Sequence, residues 1–247
     1  MGNYKQEGKI RKLKTERSQT FPYAYKKQIN MKKAIIIANG NVPLKSQINF
    51  LWKVGYDYIV CADGGANSAK KLKIVPDLII GDLDSIAERN KRYFSNKCEI
   101  IKLKRQNDTD VEKALKYLIS KNFTEAILLG ATGDRLDHSI CNLGIVLKFY
   151  DKIKVSILHE KSFLKPYTNT VEITTIRDEI ISLYGFDDKT KIKSKGLKYQ
   201  LKNIALPFGK KESTSNFAKG NKISFEISEG IIFVIRDFNL LKKHDLI

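Results

Sequence analysis

Cysteine, proline and tryptophan are scarce in this sequence, with three, five and one in 247 residues. Cys61, Cys98 and Cys141 are odd in number and far apart, and no Cys-x-x-Cys occurs. That argues against a disulfide framework and a cysteine-based zinc site. It fits a reducing, cytoplasmic compartment. Cys61 and Cys141 lie in apolar patterns and are expected as buried thiols. Long apolar runs are also missing. None approaches the length of a membrane span, and no secretory apolar core is recognisable, so no membrane association is expected. Acidic residues are outnumbered, 27 against 45 Lys and Arg, for a net charge of +18. Such an excess favours anionic partners, whether nucleic acid, an anionic membrane surface or small anionic substrates. The lysines are scattered, however, and the arginine-rich or RNP-type motifs of nucleic-acid binders are absent. Small anionic substrates are therefore the favoured class.

What is present is enough apolar residue, 42%, for a packed core, and a length comfortable for two domains. Residues 1–30 carry eight Lys or Arg against Glu7 and Glu16 and show no period; they are expected to be a flexible basic extension. From Ala34 onward, short apolar runs alternate with amphipathic stretches. Strands are expected at Ala34–Ala38, Tyr58–Ala62, Leu78–Ile80, Glu99–Leu103, Glu125–Leu129 and Val155–Leu158. Helices are expected between them, near Ser46–Lys53, Asn67–Leu72, Ile86–Phe94, Asp110–Ser120 and Leu136–Tyr150. Leu136, Ile140, Leu143 and Leu147 form one apolar stripe on the last helix. Such alternation implies right-handed βαβ units and a mainly parallel sheet.

Beyond Glu160 the texture changes to short β-rich runs punctuated by Gly185, Gly196, Gly209, Gly220 and Gly230. Regular strands with turn signals imply an antiparallel sandwich or barrel. The chain is thus expected to divide into 1–30, an α/β domain over 31–160 and a β domain over 161–247.

In parallel α/β sheets, ligands bind outside the carboxyl ends of the strands, and four polar clusters fall at such ends. Asp63-Gly64-Gly65-Ala66-Asn67 follows the second strand. Its glycines can expose N–H groups to phosphate; a tight turn capped by Asp63 is the alternative. Gly81-Asp82-Leu83-Asp84-Ser85 follows the third. In extended backbone, residues two apart point the same way, so Asp82 and Asp84 can face one cation; a solvated turn with Ser85 as a cap is the alternative. Carboxylates of this kind suit Mg²⁺, which is held by one or two acids and substrate phosphates.

Gln106-Asn107-Asp108-Thr109-Asp110 follows the fourth strand, and Thr109 with Glu112 has capping-box spacing. Asp110 either complements the helix dipole or joins the other acids, whose mutual repulsion a divalent cation relieves. The fourth cluster runs from Gly130 through Thr132 and Gly133 to Arg135, Asp137 and His138. A glycine-rich loop opening a helix cradles phosphate, and Arg135 adds a planar cation for it. No Gly-Lys-Ser/Thr follows, so this is not a P-loop. His138 reads as a core or capping histidine.

In this order and spacing, these four motifs resemble the thiamine pyrophosphokinase (thiamine diphosphokinase) family, over about Lys33 to Phe238. Thr214-Ser215-Asn216 resembles a further family segment, beside the thiamine pocket. The resemblance implies a Rossmann-like, mainly parallel α/β domain followed by an all-β sandwich domain. It also implies a homodimer with its active site between subunits, and Mg²⁺-dependent transfer of pyrophosphate from ATP to the hydroxyl of thiamine, with release of AMP. Carried onto this chain, Asp82, Asp84 and Asp110 are expected to hold Mg²⁺, with Asp63 as a fourth carboxylate of the catalytic site. Asn67, Gln106, Thr109, Gly130, Thr132, Gly133, Arg135 and Asp137 are expected at ATP, and Ser215 and Asn216 at thiamine. The sequence departs from the family where Asn107 replaces an acid and where Ser213 replaces a glycine. Asp108 is expected to cap the following helix rather than to supply the missing charge. A pyrophosphokinase acting on a hydroxymethyl pterin, which would share the metal acids and differ in its acceptor pocket, is the alternative enzyme. A metal-dependent phosphatase and a basic nucleic-acid-binding module are the further alternatives.

Overall fold

The computed structural model describes residues 31–42, 44–104, 107–133 and 135–247. The extension expected over residues 1–30 and the nucleotide contact expected of Gln106 lie outside them. Residues 31–247 form one compact unit.

Strands and helices alternate first: β1 (Lys32–Ile37), α1 (Lys45–Lys53), β2 (Tyr58–Ala62), α2 (Gly65–Lys71), β3 (Leu78–Gly81), α3 (Glu88–Phe94), β4 (Glu99–Lys102), α4 (Asp110–Ser120), β5 (Phe123–Leu129), α5 (Leu136–Phe149) and β6 (Lys154–His159). A β-rich half follows: β7 (Ser162–Tyr167), β8 (Thr170–Thr174), β9 (Ile180–Tyr184), β10 (Lys191–Lys195), β11 (Ile204–Ala205), β12 (Ser213–Phe217), β13 (Lys222–Ile227) and β14 (Ile232–Asp237), then α6 (Phe238–Lys243). No helix among the described residues is long and apolar enough to cross a membrane.

The parallel strands lie in the order β6-β5-β1-β2-β3-β4. The chain winds outward from β1 to β4, then returns to build β5 and β6 on the other side. The order therefore reverses between β1 and β5, and a crevice opens at such a switch point. Successive residues of β1 serve opposite faces. Ala34 and Ile36 pack with Val111 and Leu115 of α4 and Ile145 and Val146 of α5. Ile35 and Ile37 pack with Ile48 of α1, Ala66 of α2, Phe94 of α3 and Phe238 of α6. Burial on both faces explains why these strands read as unbroken apolar runs.

The sheet does not end at β6. Strand β7 pairs with it antiparallel, His159 opposite Ser162, and the ladder continues through β14, β9 and β12 to make ten strands. A four-stranded sheet, β11-β10-β13-β8, covers this extension. Ile192, Ile223 and Phe225 of the small sheet meet Ile181, Leu183, Ile232 and Val234 of the large one. The change of texture near residue 160 is thus the change from parallel to antiparallel pairing within one sheet. The sandwich shares that sheet with the α/β half.

Three local expectations are corrected. The stripe on α5 is only half packed: Leu136 and Ile140 are 71% and 63% exposed, Leu143 and Leu147 pack partly buried against the core, and the helix buries Asn142, Ile145, Val146 and Phe149. Both faces of this helix are apolar enough, and the position of α4 and the sheet selects between them. Cys141 is exposed, while Cys61 is buried as expected. Asp108 does not cap α4. Thr109 is the N-cap, its Oγ1 accepting from Glu112 N at 3.2 Å; the Glu112 carboxylate accepts from Thr109 N at 2.8 Å. Asp108 accepts from Lys116 Nζ at 2.5 Å.

Candidate active site

The carboxyl ends of β1, β2 and β5 and the start of α4 surround a cavity of about 670 Å³, ample for a nucleotide. The segments after β1 and β5 are stitched together. Gly40 N donates to Gly130 O at 3.0 Å and Asn41 N to Thr132 O at 2.9 Å. Gly130 sits at φ +64°, where a side chain is strained. A Cβ on Gly40 would stand 2.6 Å from Gly130 O, so this close approach requires glycine. The buried Asn142 amide donates to Ala131 O at 2.6 Å, and Thr132 Oγ1 lies 2.5 Å from His159 Nδ1. The glycine-rich loop is therefore held from two sides.

Asp63 directly follows β2 and is 3% exposed. Its Oδ2 accepts from Ser85 N at 3.0 Å, but its buried Oδ1 has no hydrogen-bond partner. Burial raises its pKa above the usual carboxylate range; the charges of Asp110 and Asp82 add to the rise, and the Ser85 bonds oppose it. A Cβ on Gly81 would lie 2.8 Å from Asp63 Cβ and 3.0 Å from Asp110 Oδ1, so the missing side chain there lets these acids converge. Carboxylate oxygens of Asp63, Asp82 and Asp110 all lie within 4.8 Å of one another. An unpartnered buried oxygen among three converging carboxylates fits a divalent cation.

Asp84, expected as a ligand, stands outside this group. Leu83 adopts φ +64°, so the segment is not extended and residues two apart do not share a direction. Asp84 is exposed and accepts from Ser85 Oγ at 2.9 Å. That hydroxyl, first among several contributions that include the Lys113 charge, holds its carboxyl below the usual range.

Of the residues expected at ATP, Thr109, Gly130, Thr132, Gly133, Arg135 and Asp137 line the cavity. Arg135 donates to both Asp137 oxygens, at 2.9 Å and 2.5 Å, and this lowers the Asp137 pKa to about 2. His138 is exposed at the rim rather than in the core. Asn67 is turned to the protein: it donates to Ser85 O and accepts from Ala87 N and the Asn90 amide, which anchors the turn after β3. Ser215 and Asn216 lie on β12, an edge strand of the large sheet, five strand positions from β5. At about 4.8 Å per strand, that is roughly 24 Å away. Asn216 is buried; its amide accepts from Tyr199 N at 3.0 Å and donates to Tyr199 O at 2.7 Å. Ser215 takes φ +51° at an irregularity between Ser213 and Asn216, and it is exposed.

Sequence reasoning passed over Lys113, whose Nζ donates to Asp110 Oδ1 at 2.7 Å. Its signal was available, since three residues separate neighbours on one helix face. Asn142 and His159 carry no such signal; tertiary packing alone brings them to the loop.

Two family models match the chain in order: "Thiamin pyrophosphokinase, catalytic domain" over residues 48–157, and "Thiamin pyrophosphokinase, vitamin B1 binding domain" over residues 168–232. Thiamin pyrophosphokinase 1 of Caenorhabditis elegans is 30% identical over 205 residues, covering 76% of this chain and 82% of that protein. Thiamine pyrophosphokinase of Bacillus subtilis is 25% identical over 181 residues, 70% of this chain and 84% of that one. The crystal structure of a Bacillus subtilis thiamine pyrophosphokinase superposes with a TM-score of 0.72 at 22% identity, covering 85% of this chain and all of the other. That of thiamin pyrophosphokinase from Candida albicans gives 0.72 at 23% identity, covering 84% and 89%.

Proposed function

The chain belongs to the thiamin pyrophosphokinase family, and from that premise we propose that this enzyme transfers pyrophosphate from ATP to the hydroxyl of thiamine, giving thiamine diphosphate and AMP. The observation that carries this reading is the convergence of Asp63, Asp82 and Asp110, one oxygen of them unpartnered, beside a glycine-rich loop at the sheet's switch point. The hydroxyl oxygen bonds to the β-phosphorus and loses its proton to solvent, the bond from that phosphorus to the α–β bridging oxygen breaks, and AMP leaves with that oxygen. Both partners in the step are anionic or become so. Catalysis is therefore positioning and charge neutralisation. The N–H groups of Gly130–Gly133 and the Arg135 guanidinium meet the phosphates, while Thr109 fixes the mouth of α4. Asp63, Asp82 and Asp110 would hold Mg²⁺, which when bound offsets the phosphate charge; Asp84 serves from outside this group.

A homodimer completes the site in this reading. Ser215 stands too far along the sheet to meet its own cavity, so thiamine is held by Ser215 of a second copy, with Asn216 shaping the turn behind it. The cytoplasm is the setting we infer, supported by three free cysteines.

Incubation with ATP, Mg²⁺ and thiamine, followed by mass detection, tests the reaction. Thiamine diphosphate and AMP in equal amounts are expected. Inorganic phosphate without an acceptor would point to a phosphatase, and transfer only to a hydroxymethyl pterin in an acceptor panel would favour the alternative pyrophosphokinase.

A further inference from the structure

The transfer reaction gives no task to the ammonium group inside the carboxylate cluster. Lys113 lies one turn beyond Asp110 on the same face of α4. Its side chain is 3% exposed, a state lysine reaches only when paired. Its Nζ donates to Asp110 Oδ1 at 2.7 Å, and its charge also reaches Asp84. It is absent from the lining of the nucleotide cavity, so it does not approach the phosphates as Arg135 does. It instead sits against one oxygen of Asp110, a member of the cluster.

We propose that Lys113 is a resident counter-charge that competes with the divalent cation for Asp110, so that loading the site with metal requires its ammonium to release that carboxylate. The inference rests on the cation site proposed above. Asp63, Asp82 and Asp110 crowd together, and Asp63 Oδ1 has no partner. Their repulsion opposes folding whenever no cation is bound, and one buried ammonium offsets it. A dication entering the cluster meets that ammonium as a like charge at close range, and one oxygen of Asp110 is already held. Asp84, exposed and outside the three-carboxylate group, already feels the Lys113 charge.

Mn²⁺ alone is the probe, titrated into the full chain without nucleotide and followed by the magnetic resonance signal of free Mn²⁺. Wild type, Lys113→Met and Lys113→Arg are compared. Removing the charge is expected to tighten Mn²⁺ binding by about tenfold, while Lys113→Arg, which keeps it, binds like wild type. Without metal, Lys113→Met melts at a lower temperature, and saturating Mg²⁺ raises its melting temperature more than that of wild type. Should the Met variant not fold, Lys113→Gln keeps a donor for Asp110 without the charge, and the same tightening is expected. Unchanged or weaker Mn²⁺ binding in a folded neutral variant overturns the proposal and leaves Lys113 as a structural partner of Asp110. If wild type itself takes up no Mn²⁺ at millimolar concentration, the cation site fails, and this inference fails with it.

Discussion

Asp63 bears the clearest conflict between stability and chemistry in this molecule. Its carboxylate is buried, shares its surroundings with two other acids and leaves one oxygen without a partner. A charge in that position costs stability unless a cation accompanies it. Asp63→Asn removes the charge and keeps the shape and the acceptor for Ser85 N. In metal-free buffer the variant is expected to melt no lower than wild type, whereas turnover falls by about a hundredfold or more, as losing a strong electrostatic contact in a dry site does. Melting curves and steady-state rates on one preparation check both halves. Near wild-type turnover would remove Asp63 from the cation site. The same scale shows where sequence reasoning stops. Asp63, Asp82 and Asp110 were legible because each stands at a strand end or helix start. The separation of Asp82 from Asp84 was not, because it depends on the positive φ of Leu83, which no side-chain pattern demands. Asn67 and Asn216 read as ligand contacts by position, yet their amides are engaged by the protein's own backbone.

Among the elements, α4 is the one on which the site's geometry depends. It carries Asp110 in its first turn, and its N-terminus is fixed by the reciprocal bonds of Thr109 and Glu112. Burial alone would raise the Glu112 carboxyl, but the Lys148 ammonium and the Thr109 N–H together hold it below its ordinary value of 4.5. A carboxyl depressed on folding adds stability that is complete above its unfolded pKa and is lost as pH falls through its folded pKa. Glu112→Gln is therefore expected to be less stable than wild type at neutral pH, with the difference shrinking as pH drops below about 4.5. Denaturant titrations at several pH values check this; a difference that grows on acidification contradicts the assignment. Helix α4 was legible because burial of one face writes a period into the chain, and β1 to β6 because burial on both faces leaves short unbroken apolar runs. The face of α5 was not. Its two apolar stripes compete, and the answer lies in the neighbouring elements rather than in the helix.

For the whole molecule, the feature least visible in the sequence is the continuity of the large sheet from β4 to β12. Composition announces a change at residue 160 but not that hydrogen bonding runs straight through it. That continuity sets the distance between the two halves of the chemistry. The hydrogen-bonded ladders place Ser215 roughly 24 Å from the cavity edge at β5, so Ser215 of the same chain cannot reach that cavity. A second copy can, and the surface beside the cavity is suited to receive one: Leu136 and Ile140 lie exposed on α5, next to the cavity-lining His138 and Cys141. Exposed apolar groups of this kind mark interaction surfaces. In a two-fold dimer, each site then takes its acids from one chain and its thiamine wall from the other. Mixing two inactive variants tests this directly. Asp63→Asn lacks the acid but presents an intact Ser215; Ser215→Trp has intact acids but blocks the wall. After subunit exchange, half of the dimers are mixed, and each mixed dimer holds one intact site of two, so about a quarter of wild-type activity is expected to return. If both variants are folded and exchange subunits, yet activity stays at the level of the separate proteins, each chain must build its site alone, and the shared-site dimer is wrong.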